Sequence, residues 1–110
     1  MEIVDLSREL DGLEKLLSLV KNATDFKTKE EARALNQTIA CSLLRKSSQH
    51  PITGPKTDEK NIENISKARS IANHAMAYLN YPGHGPWLLT KAEELYAELR
   101  ETYPKESLAA

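Results

Sequence analysis

Along this chain apolar residues return every three or four positions, in four blocks separated by helix-breaking stretches. Steps of that size hold side chains on one face of an α-helix, whereas a strand, with a period of two, would scatter them over both faces. In the first block Ile3, Leu6, Leu10, Leu13, Leu17 and Val20 form the seam, and Leu16 and Leu19 widen it. A stripe that broad suits a helix packed in a bundle better than a thin two-stranded coil. The second block carries Ala32, Leu35, Ile39 and Leu43, and the third Ile65, Ala68, Ala72, Ala75 and Leu79. Leu89, Ala92, Tyr96, Leu99 and Tyr103 make the fourth. The pattern predicts an all-α fold, a compact bundle of about four helices over roughly 3–21, 29–46, 58–80 and 86–103.

The breaks place the boundaries. Asn22 signals a helix end, and Ala23 to Lys27 reads as a short loop from which Phe26, the only phenylalanine, is expected to tuck onto the core. Thr28 and Glu31 have the spacing of a capping box for the second helix. Ser47 to Lys56, with two prolines and a glycine, cannot sustain a helix and is the longest expected loop. Thr57 or Asp58 is placed to cap the third helix, whose three seam alanines let another backbone approach, so it is expected at the centre of the bundle. Pro82 ends that helix, and Gly83 and Gly85 beside it permit positive φ. The fourth helix starts at Pro86 or at the second capping box, Thr90 with Glu93, and stops at Pro104. Gly12 falls off the first seam and marks a bend or a close backbone contact.

With 110 residues the chain has material for one domain, residues 1–110, and one modest core. Fifteen basic and sixteen acidic residues leave a net charge of -1, with both halves nearly balanced, so there is no electrostatic footprint for general nucleic-acid binding. Cys41 is the only cysteine, which excludes an internal disulfide and a cysteine-rich zinc site, and a half-buried packing role is expected for it. No apolar run approaches the roughly 20 residues that span a bilayer, and no leader pattern is visible; a cytoplasmic setting is the expectation.

Arg69 is followed after four residues by His74. That pair resembles the catalytic motif of the HEPN ribonucleases, a family of small helical domains. The resemblance implies a metal-independent RNA-cleaving site at a dimer interface, with Arg69 binding phosphate and His74 acting as acid or base. Ser70 departs from the family, which usually has asparagine or aspartate after its arginine. Five residues along a straight helix turn the two side chains about 140° apart, so only two protomers together could join them. A histidine phosphotransfer domain is a poorer match, because Ala75, Met76, Ala77 and Tyr78 follow His74 where that family has lysine and glycine. Ser70, His74 and Tyr78 do share one helical stripe, but a mid-helix serine has no oxyanion hole. His50, His74 and His84 are too scattered to suggest a metal centre, and neither Walker nor dinucleotide glycine spacing occurs, so no metal or cofactor is expected.

Tyr78, Tyr81, His84 and Trp87 crowd within ten residues of a chain that has six aromatic residues in all. Aromatic side chains dominate binding hot spots because they bury much area at low entropic cost. Two roles compete: a staple, with Trp87 turned inward, and a partner-binding surface. The expected function is a small helical protein-interaction or regulatory module of bacterial or phage style, binding a partner protein or itself as a homodimer or higher oligomer. The alternatives are the HEPN-like ribonuclease using Arg69 and His74, and a small-ligand binder with its pocket under the aromatic connection.

Overall fold

A computed structural model describes residues 4–49, 57–81, 83 and 85–105. It contains four helices, α1 (Ser7–Asn22), α2 (Phe26–Gln49), α3 (Thr57–Asn80) and α4 (Pro86–Thr102), and no strand among the described residues. The compact all-α bundle expected from the three-four spacing is thus the observed fold. Cross-helix pairs fix its topology. Glu9 of α1 meets Lys46 of α2, Asp11 meets Arg100 of α4, Lys21 meets Glu93, and Lys67 of α3 meets Glu98. Early residues of one helix face late residues of the next in each pair, so the helices alternate up and down. Every pair of helices packs except α2 with α4, which leaves α1 and α3 together in the middle and α2 and α4 at opposite corners. The centre is therefore shared by α3 and α1 rather than held by α3 alone.

The seams supply the core. Leu10, Leu13 and Leu16 of α1, Leu43 of α2, Ile71 of α3 and Leu99 of α4 are completely or almost completely buried, as are Ala68, Ala75 and Ala92 where backbones close in. Burial of one such leucine is worth about 2 kcal/mol. Leu17 and Val20 are buried too, and Leu19 is partly buried against the same core. Gly12 resolves as a close contact: a Cβ there would stand 3.2 Å from the Ile39 side chain.

Several expected boundaries shift, each for an identifiable reason. The first helix starts at Ser7 and not at residue 3: the Val4 carbonyl accepts from the Tyr103 hydroxyl (2.7 Å), which takes it away from a helical ladder, and the Val4 N–H donates to Asn61 Oδ1 (2.8 Å). Helix two starts at Phe26 because Asp25 caps it, its carboxylate accepting from the Thr28 N–H at 2.7 Å. Thr28 is therefore inside the first turn, and no capping box forms. Phe26, at the head of the helix, is exposed and does not tuck onto the core. At its other end α2 runs on through Ser47 and Ser48 to Gln49, shortening the long connection; residues 50–56, with His50, lie outside the described residues. Helix four takes Pro86 as its first residue, and Thr90 bonds back to the Pro86 carbonyl from inside the helix. No described glycine has positive φ. Gly85 serves closeness instead: it is buried, and a Cβ on it would come within 2.5 Å of Leu88. Cys41 faces outward on α2 and is exposed, contrary to the half-buried expectation.

Candidate functional site

The up-down order brings the α1–α2 turn and the α3–α4 turn to the same end of the bundle. Among the described residues four large hydrophobic side chains are exposed, and three of them, Phe26, Tyr81 and Trp87, stand at that end. Local structure explains each. Tyr81 is the first residue past α3, its N–H closing the last turn onto the Ala77 carbonyl at 3.0 Å. Trp87 follows the proline that opens α4, where the seam has not yet begun, and it stays 63% exposed. The inward staple is thereby excluded. Phe26 follows the Asp25 cap and points away from the α1 seam.

Trp87 is positioned from one side by His74, whose ring meets it edge-on with centroids 6.1 Å apart and planes at 82°. His74 in turn is held by its own helix: Nδ1 lies 2.7 Å from the Ser70 carbonyl and 3.3 Å from the Ser70 hydroxyl. A proton on Nδ1 satisfies the carbonyl and leaves Nε2 as the free ring nitrogen. The Ser70–His74 relationship was legible as an i, i+4 stripe; the Trp87 contact across two helices was not. Tyr78 is half-buried and packs against the core, so it supports this surface more than it presents itself. His84 lies outside the described residues.

Arg69 is exposed and makes no hydrogen bond or ion pair among the described residues, while His74 is half-buried beside Trp87. One chain therefore does not bring the HEPN-like pair together. Nor do the two described clefts lie under the aromatic connection. One, of about 550 Å³, runs between the start of α1 and the end of α4 past Arg8, Asp11, Arg100 and Lys105. The other, about 350 Å³, lies beside Glu14, Lys21, Glu93 and Tyr96.

Two polar networks were missed in the sequence. Along α1 and α4, Arg100 donates to Asp11 (2.8 Å) and to the Tyr96 hydroxyl (2.8 Å), which donates to Glu14 (2.8 Å). Burial works against the Arg100 charge, but the hydrogen bonds to Asp11 and Tyr96 outweigh it and hold the guanidinium above its ordinary value. At the bundle end opposite the aromatics, Asn61, Asn64 and Glu9 are buried polar residues. Their signal was present: stepping back by four from the seam residues Ala68, Ile65 and Leu13 lands on Asn64, Asn61 and Glu9. No described helix is long and apolar enough to cross a membrane, and no three potential metal ligands converge among the described residues. No protein-family model, curated protein or solved structure matches this chain.

Proposed function

We propose that this protein is a small helical interaction module that docks a partner protein through the aromatic end of its bundle. The observation that carries the reading is the exposure of Phe26, Tyr81 and Trp87 at one end of a domain whose other apolar side chains are largely packed away. Large rings left in water are retained at a free-energy disadvantage unless something covers them, and aromatic anchors contribute most of the energy in many interfaces. His74 pre-sets the Trp87 ring, and Pro86 pre-sets the start of α4, so little order remains to be imposed on binding. A second copy of the chain is one such partner, docked through this same end.

The test is affinity capture from the native host with wild-type, Tyr81→Ala and Trp87→Ala baits, with light scattering of each. The reading expects captured protein, or a dimer, that both substitutions abolish while circular dichroism stays unchanged. Retention of every partner by both variants would rule it out.

The HEPN-like ribonuclease is a second reading, favoured by one observation: Ser70 holds His74 Nδ1, which leaves Nε2 available for proton transfer. It requires a dimer that brings Arg69 of one copy to His74 of the other. RNA cleavage that vanishes in both His74→Ala and Arg69→Ala would replace the first reading with this one.

A further inference from the structure

Residues 4–6 enter the bundle as a non-helical strap at the end remote from the aromatic surface. Three backbone groups of the strap are bonded by side chains, each from a different part of the fold. Asn61 of α3 accepts from the Val4 N–H (2.8 Å), Tyr103 after α4 donates to the Val4 carbonyl (2.7 Å), and Lys46 of α2 donates to the Asp5 carbonyl. Asn64 donates to the Tyr103 oxygen at 3.3 Å and so aims that hydroxyl at the strap. The three reading residues Asn61, Asn64 and Tyr103 are 2%, 1% and 8% exposed, and burial pushes the Tyr103 hydroxyl up from its ordinary pKa, keeping it a donor. Val4 and Leu6 fill apolar positions at 7% and 0% exposure while Asp5 between them faces water.

We propose that this slot is a binding site for an extended peptide with an aliphatic residue two positions before a leucine, and that residues 4–6 are its resident, displaceable occupant. Its hydrogen bonds go to backbone, so they do not depend on which chain supplies the segment; the two apolar positions set the preference. An emptied slot would leave the buried Tyr103 hydroxyl without the carbonyl it donates to, a state that favours recapture of an equivalent segment over staying open. Because the tethered strap competes at high effective concentration, a partner's segment binds only weakly until the strap is released. This site is separate from the aromatic end, and its fate does not decide that reading.

Full-length protein carrying Val4→Pro, which removes the N–H that Asn61 accepts, should release the strap. A fluorescent peptide of residues 1–8 is then expected to bind that variant at least about ten-fold more tightly than wild type, and Asn61→Ala in addition should abolish binding. A folded Val4→Pro protein that does not bind the peptide, or binds it equally with Asn61→Ala, overturns the proposal. Should Val4→Pro fail to fold, amide exchange in the wild type decides. A Val4 amide exchanging at least about ten-fold faster than that of Leu13 shows a strap that opens locally; equal rates show one that leaves only on global unfolding, and the proposal fails.

Discussion

The carboxylate of Glu9 on α1 and the ammonium of Lys46 on α2 stand 2.8 Å apart, with the Glu9 side chain only 2% exposed. Ser42, one turn before Lys46, donates a second hydrogen bond to the same carboxylate. Burial pushes the Glu9 carboxyl up, but the hydrogen bonds from Lys46 and Ser42 outweigh it and hold the group below its ordinary 4.5. A carboxyl lowered on folding contributes stability that is complete above about 4.5 and is lost as the pH falls through the lower folded value. Thermal melts below that pH should therefore lose stability more steeply in wild type than in Glu9→Gln. The slope should not vanish, because Asp5, Glu14 and Asp25 are lowered as well. Lys46→Ala at neutral pH strands a buried charge and should cost about 3 kcal/mol in urea unfolding; a loss near zero would show the pair to be solvated.

Gly12 and Ile39 set a second expectation. Alanine at 12 gains about 1 kcal/mol of helix propensity and meets Ile39 atoms 3.2 Å from its Cβ, which must yield by a few tenths of an ångström. The two effects oppose each other, so Gly12→Ala should change stability by about 1 kcal/mol or less. Gly12→Val, with two more carbons against the same wall, should be destabilised by about 2–3 kcal/mol. Equal melting temperatures for the two variants would contradict the close approach of α1 to α2.

Helix two is capped by Asp25, not by Thr28. Asp25→Ala should lower the melting temperature more than Thr28→Ala, since the alanine at 28 keeps the backbone N–H that Asp25 accepts and loses only the hydroxyl's bond to the same carboxylate. The Asp25 carboxyl is held below its ordinary value by that N–H, so the difference between the two variants should shrink as the pH falls through the carboxylate range. The reverse order would restore the capping box that begins at Thr28.

Trp87 separates surface from staple by stability alone. With its ring 63% exposed and one edge-to-face contact to His74, Trp87→Ala should cost about 1 kcal/mol. An inward staple would cost about 3–5 kcal/mol. Calorimetry of this variant therefore tests the placement of the ring without any knowledge of the partner.

The three-four recurrence of leucine, isoleucine and alanine determined the helices, their number and the faces they bury, because periodicity and burial in a bundle are one physical fact. Proline punctuation likewise put the end of α3 before Pro82 and narrowed the start of α4 to Pro86 or Thr90, between which the structure takes Pro86. What escaped the sequence depended on neighbours distant along the chain. Ile3 and Leu6 continue the α1 seam, yet the strap leaves the helix where Tyr103, 99 residues away from Val4, claims its carbonyl and Asn61, 57 residues away, accepts from its N–H. Phe26 and Trp87 look like core residues by type; each stands in water at the head of its helix, and the up-down packing of α1 to α4 puts both at the same end. Glu9 is a charge by composition and a core residue by position, and only the arrival of Lys46 and Ser42 from α2 makes that burial tolerable. Local spacing determined which face of each helix turns inward, while the pairing of whole helices decided which polar groups are satisfied there and which rings are left uncovered.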